Sequence, residues 1–233
     1  SSAASDVYKR QDIISHYTYQ ETGKNLVHSN FLHSLLLDHS GNVWVGSEFA
    51  GVTLLSVLSE GSYRIYPEHE SINDYVNAIR TVVKMPDGGF WFGTRQGNVY
   101  AYDKNLEAAS CYKMPYNYIY AASCDGDGKL WLGTRTMGLC IDGRWYHKMA
   151  GDTLSLAHEN IFDIYRDDKN RMWIGTFGGG LNLAVSRKDR YVFRKFLTGS
   201  GRLQEVRMIT QDNKKRLWVG TNKGLCVFYG DSI

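Results

Sequence analysis

Four kinds of residue grouping in this 233-residue sequence have the composition of chemical sites. The stretch GTFGGG, residues 175–180, has the glycine content of a phosphate-cradling loop. Such loops open a helix and carry a Lys-Ser/Thr pair, and neither follows here, so a turn between strands is the expected role. The segment DGDGK, residues 125–129, begins like a calcium loop, but its twelfth position holds Thr136 where a bidentate Glu is required. It reads as a hairpin turn. The seven histidines, His16, His28, His33, His39, His69, His147 and His158, show no repeated spacing, and no metal site is expected. Cys111, Cys124, Cys140 and Cys226 lack a C-x-x-C pair, and buried apolar thiols are the expectation. No catalytic residue and no cofactor is assigned. The net charge of +3 is mild and scattered, which argues against a nucleic-acid or anionic-membrane partner. No apolar run approaches the roughly 20 residues that span a bilayer, so no membrane contact is expected of this segment.

The glycine-rich stretch makes sense as part of a repeat. MWIGTFGGGLNLA, from Met172, has near-copies in VWVGSEFAGVTLL from Val43, FWFGTRQGNVYAY from Phe90, LWLGTRTMGLCID from Leu130 and LWVGTNKGLCVFY from Leu217. The tryptophans Trp44, Trp91, Trp131, Trp173 and Trp218 recur at intervals of 47, 40, 42 and 45 residues, a period that marks four-stranded propeller blades. Each unit reads as a strand, a turn (DHSGN, PDGG, DGDGK, DDKNR or DNKKR), the Trp strand, a Gly-rich turn, a third strand and an aromatic fourth. The Trp strands are apolar on both alternations, so both faces must be covered. Small sheets stacked face to face around an axis achieve that. Gly46, Gly93, Gly133, Gly175 and Gly220 lie two residues beyond each Trp, on the same face, where a neighbouring backbone or ring is expected to come close. The expected fold is all-β: a β-propeller of about five four-stranded blades, partial, with its first and last blades incomplete.

The Trp-Gly-Thr/Ser core of all five units, and above all SLAHENIFDIYRDDKNRMWIGTFGGGL from Ser155 to Leu181, resembles the two-component regulator propeller repeat. That family forms the periplasmic sensor region of hybrid two-component histidine kinases of Bacteroidetes. The resemblance runs from Asn30 to Phe228; Ser47 replaces Thr in the first unit, and Gln204 or Glu205 stands where Asn30, Asn73, Asn117 and Asn160 start the innermost strands of the others. DVYKRQ, residues 6–11, is similar to the translation of a sequencing-library adaptor, so residues 1–11 are expected to be an artefact or disordered, and 12–233 to be a propeller fragment of metagenomic origin. Residues 13–20 read as the outer strand of a preceding unit, which would complete the last blade, itself ending after its third strand near Phe228.

A rigid propeller leaves function to its rim loops. The turns after the Trp strands carry Glu48, Phe49, Arg95, Gln96, Arg135, Thr136, Phe177, Asn222 and Lys223. The segments leading into the innermost strands carry His69, Tyr75, Tyr116, Tyr118, His158 and Asn160 at the same end of the axis. Aromatic rings beside Arg, Asn and Glu suit sugar faces and hydroxyls or a uronate carboxylate. The resemblance implies a non-catalytic sensor of glycan breakdown products, periplasmic, with an oligosaccharide ligand and a homodimeric parent. A propeller lyase similar to the streptogramin-inactivating enzymes is the enzymatic alternative; it would draw a base from His69 or His158 and a metal-binding carboxylate from Glu48, Glu70 or Glu159. A scaffold for protein partners is the third reading.

Overall fold

The computed structural model describes residues 27, 29–38, 40–48, 50–56, 62–68, 77–115, 118–198 and 205–229. Residues 1–26 and Phe49, His69, Glu70, Asn73, Tyr75, Tyr116 and Asn117 lie outside them, so the readings of the N-terminal segment and of those side chains do too. The fold is an all-β propeller of five blades, each an antiparallel meander, with no α-helix among the described residues. The first blade holds β1 (Leu32–Leu37), β2 (Val43–Ser47), β3 (Val52–Leu55) and β4 (Ser62–Ile65). The second holds β5 (Ile79–Lys84), β6 (Phe90–Thr94), β7 (Asn98–Tyr102) and β8 (Ala108–Lys113). The third holds β9 (Ile119–Cys124), β10 (Leu130–Thr134), β11 (Leu139–Ile141) and β12 (Arg144–Tyr146). The fourth holds β13 (Ile161–Arg166), β14 (Met172–Thr176), β15 (Leu181–Arg187) and β16 (Arg190–Phe196). The fifth shows β17 (Val206–Gln211), β18 (Leu217–Thr221) and β19 (Gly224–Phe228). The innermost strands β1, β5, β9, β13 and β17 follow one another around the axis, each touching the next.

The turn between the first two strands of a blade does more than reverse the chain. Asp38, Asp125, Asp167 and Asp212 each accept backbone N–H groups two and four residues on through one carboxylate oxygen. The other oxygen accepts the indole N–H of the Trp six residues on, at 2.9–3.1 Å. A single carboxylate thus closes the turn and fixes the ring, which removes the desolvation penalty of burying an indole donor. At Asp38 burial opposes ionisation, but the bonds from Trp44, Asn42 and the turn backbone outweigh it and hold the carboxyl below its usual range. The bond from Trp218, followed by those from Arg216, does the same at Asp212. The turns need a left-handed residue three positions after the Asp, supplied by Gly41, Gly128, Asn170 and, at φ 63°, by Lys215.

Trp44, Trp131 and Trp173 are essentially inaccessible and face the following blade, Trp44 against Phe90 and Phe92, Trp131 against Tyr191. Truncating such a ring would cost about 3–5 kcal/mol. Trp91 and Trp218 are only half-buried. In blade 2, Met85 stands where the other blades have aspartate, so Trp91 lacks the carboxylate partner and stacks instead on Tyr112, 5.5 Å away and nearly parallel.

In the first four blades a β-branched side chain of the next blade comes close to the glycine two residues after the Trp. A Cβ on Gly46 or Gly93 would first meet its own blade at Ser34 Oγ or Thr81 Cγ2, and one on Gly133 or Gly175 would first meet the next blade; in all four cases the first residue of β5, β9, β13 or β17, which is Ile79, Ile119, Ile161 or Val206, would lie within 3.0 Å. All four of those residues are fully buried. Among the described residues, a Cβ on Gly220 would meet nothing nearer than Met208 of its own blade, at 3.8 Å. Leu32, the counterpart in β1, is 43% exposed. The Thr or Ser ending the Trp strand has a local cause as well in four of the five blades: the hydroxyls of Ser47, Thr134, Thr176 and Thr221 donate to the carbonyl of the glycine three or four residues on, whereas the Thr94 hydroxyl accepts from Asn98 N–H. Ser47 makes this bond as Thr134, Thr176 and Thr221 do. GTFGGG and DGDGK are both turns between strands, as read from the sequence. Cys124 and Cys140 are buried as expected; Cys111 departs from that expectation because it lies exposed on the outer strand β8.

Candidate functional site

Every innermost strand is irregular at one place. Pairing with the Trp strand runs regularly until the second residue, which is skipped: His33 in β1, Arg80 in β5, Tyr120 in β9, Phe162 in β13 and Arg207 in β17. A bulge of this kind re-aims a side chain out of the sheet alternation. Because the innermost strands are neighbours around the axis, the five re-aimed side chains form a continuous row at the end of the axis where the Trp strands finish. Arg80 Nη1 donates to His33 Nδ1 at 3.1 Å. Its guanidinium carbon lies 5.8 Å from the Tyr120 ring centre. Tyr120 stacks on Phe162 at 5.4 Å with 14° between the planes, and Arg207 sits 4.5 Å above Phe162.

The turns after the Trp strands add a second tier to this row. Glu48 is buried and central to it: Arg95 Nη1 donates to Glu48 Oε1 at 2.6 Å, Arg80 Nη2 lies 3.4 Å from Oε2, and His33 Nε2 also binds Oε2. Arginine only donates, so His33 Nδ1 accepts from Arg80 and its Nε2–H donates to Glu48. Burial raises the proton affinity of Glu48, but the His33 bond and the charge of Arg80 prevail and hold its carboxyl below the usual range. Arg95 and Arg135 flank the Tyr118 ring at 5.8 and 5.7 Å. Phe177 lies 5.3 Å from Phe162 and 5.0 Å from the Arg207 guanidinium. Arg207 is also 3.3 Å from Glu205. The Arg80 Nε donor is buried without a hydrogen-bond partner.

Of the residues singled out by sequence, the structure brings Glu48, Arg95, Tyr118, Arg135 and Phe177 together. Among the described residues it does not bring in the others; Phe49, His69, Tyr75 and Tyr116 lie outside these. Gln96 is half-buried in its turn, whereas Thr136, Asn222 and Lys223 are exposed. Asn160 is bonded through its own main chain: its carbonyl accepts from Phe177 N–H and its N–H donates to His158 Nδ1 at 3.0 Å. His158 is thereby engaged, and burial, then the charge of Lys148, pushes its pKa down. The asparagine two residues before β5 is Asn77, fully buried and bonded in both directions to the Glu68 backbone. The carboxylates pair with histidines other than those expected, Glu48 with His33 and Glu159 with His147. His33, Arg80, Tyr120, Phe162 and Arg207 escaped the sequence reading. Their signal is a polar or aromatic residue directly after the first apolar residue of each innermost strand, at a position where plain alternation gives no role. Among the described residues no group of His, Cys, Asp and Glu is arranged to hold a metal ion.

The profile described as "Two component regulator propeller" matches residues 113–136, 155–178 and 200–223. A curated relative, "Histidine kinase P4" of Formosa agariphila, is 23% identical over 197 residues, covering 78% of this chain and 14% of its own length, so the chain spans about a seventh of that protein. Among solved structures, the extracellular domain of the proposed hybrid two component system BT3049 from B. thetaiotaomicron superposes with a TM-score of 0.68 at 22% identity, over 89% of this chain and 30% of that one. Virginiamycin B lyase from Staphylococcus aureus superposes with a TM-score of 0.61 at 14% identity, over 87% of this chain and 71% of that one. At these identities the structural likeness is one of fold; the repeats themselves carry the assignment. Three profile matches fall on successive blades, and the same Trp-Gly-Thr/Ser core recurs in the other two, so this chain carries the repeats of the two-component regulator propeller family.

Proposed function

We infer that the chain is the ligand-reading propeller of a periplasmic sensor histidine kinase, non-catalytic in itself, and that its axial row recognises a glycan breakdown product bearing a carboxylate. The observation behind this reading is the alternation of guanidinium and ring along the row: Arg80, Tyr120, Phe162 and Arg207 offer flat apolar faces for a sugar and charged forks for its acid group. Glu48 holds Arg80 and Arg95 in place. In the homodimeric parent, occupation of this face would be passed across the membrane. Calorimetry with neutral and uronate-containing oligosaccharides tests it. Uronates should bind, Arg80→Ala and Phe162→Ala should each weaken binding by about tenfold or more, and affinity should fall with added salt. Absence of binding across such a panel overturns it.

A second, enzymatic reading rests on the His33–Glu48 pair at the axis and on the likeness in fold to virginiamycin B lyase. Its test is turnover of virginiamycin B with a divalent cation, lost in His33→Ala.

A further inference from the structure

Between the second and third blades the stack is incomplete. A cavity of about 470 Å³ opens there. Its depth is formed by Val99, Leu132 and Cys140, at most 5% exposed, and its walls by Trp91, Tyr112 and Trp145. Two local departures from the repeat create it. Met85 removes the carboxylate that elsewhere holds the indole, so Trp91 stays half-buried on Tyr112. The outer hairpin of blade 3 is also short: β11 and β12 pair over three residues, whereas β15 and β16 of blade 4 pair over seven and fill the corresponding space with Tyr191 and Phe193. The size falls within the roughly 300–1,000 Å³ of small-molecule sites.

The lining selects among ligands. A sugar needs hydrogen-bond partners around its whole rim, and the depth of this cavity offers aliphatic and thiol groups only. Trp91 and Tyr112, stacked on each other, form an aromatic wall against which a flat apolar ring packs. Polar groups occur at the mouth, where exposed Lys113 and Asp142 supply one cation and one acceptor. We propose that the cleft between blades 2 and 3 binds a small hydroxylated aromatic acid, its ring between Trp91 and Trp145, its carboxylate on Lys113 and its hydroxyl donating to Asp142. This site is separate from the axial row and does not depend on how the axial row is read.

The probe is 4-hydroxycinnamate, titrated into the whole protein by calorimetry and followed by tryptophan fluorescence. Saturable 1:1 binding with quenching is expected. Lys113→Glu, a surface change, and Trp145→Ala should each weaken it by about tenfold. Cys140→Leu, which fills the depth of the cleft, should abolish binding while leaving the melting temperature equal or higher. Three results would overturn the proposal: no binding, binding indifferent to all three variants, or glucuronate competing for the same site with equal affinity. Circular dichroism of each variant identifies any loss of signal that comes from unfolding, and Lys113→Glu carries the decision should Trp145→Ala not fold.

Discussion

Met85 occupies the position at which every other blade has an aspartate, and the consequence is measurable at a single residue. Met85→Asp would place a carboxylate within the same turn, able to accept from the Asp87 N–H and the Trp91 indole and to share the Gly89 N–H that now donates to Asp87 Oδ1. Blade 3 tolerates an identical Asp-x-Asp arrangement at Asp125 and Asp127. The variant is expected to be more stable by about 1 kcal/mol in denaturant titration and to show a blue-shifted tryptophan emission as Trp91 leaves water. Asp163 is the opposite case, a carboxyl placed where ionisation is costly. Burial pushes its pKa from 3.8 up to about 6, against the pull of N–H groups of Ile209 and Ile164. The folded form therefore holds a proton that the unfolded form has already released between those values. By linkage its contribution to stability declines as pH rises through that window and stays low above it. Asp163→Asn should flatten this part of the profile, so that melting temperatures of variant and wild type diverge between pH 4 and 6.5, with wild type losing ground; parallel curves would refute the assignment.

At the scale of the element, the blade-to-blade joint is a glycine receiving a β-branched side chain. A Cβ at Gly175 would come within 2.6 Å of Val206 Cγ1, while one at Gly220 has 3.8 Å of clearance from the described residues. Gly175→Ala is accordingly expected to cost about 1–3 kcal/mol through overpacking, and Gly220→Ala about 0.5 kcal/mol or less. Equal losses would show that the glycines serve backbone geometry alone. The spacing Trp-x-Gly was legible in the sequence, and so was the shared face. The identity of the intruding group was not: the sequence reading allowed a backbone or a ring, whereas the β-branched side chain comes from an adjacent sheet about 30 residues on. The Asp six residues before Trp was visible four times over. It was read for its turn propensity, and its second oxygen, the one that binds the indole, is revealed only by the hairpin register.

For the whole molecule, a stack of repeats is as strong as its interfaces allow, because each blade contacts only its neighbours. The second joint carries the cavity and, among the described residues, the shortest outer hairpin, so local opening should begin there. Hydrogen exchange is expected to be faster over residues 139–146 than over 181–196, and protection at 139–146 should rise in Cys140→Leu. Uniform protection along the outer hairpins would mean that the blades open together.

Period, strand content, turn positions and the family of repeats were all written in the sequence, because each depends on local spacing: apolar residues on both alternations, Asp and Gly at turns, an indole at each blade length. The candidate site was legible only by half. Glu48, Arg95, Arg135, Tyr118 and Phe177 announce themselves by standing in the segments that flank the strands. His33, Arg80, Tyr120, Phe162 and Arg207 sit within strands, and only the bulge in register together with the closeness of five innermost strands at one axis turns them into a row. Convergence around an axis joins residues some 40 positions apart, and no local pattern records it.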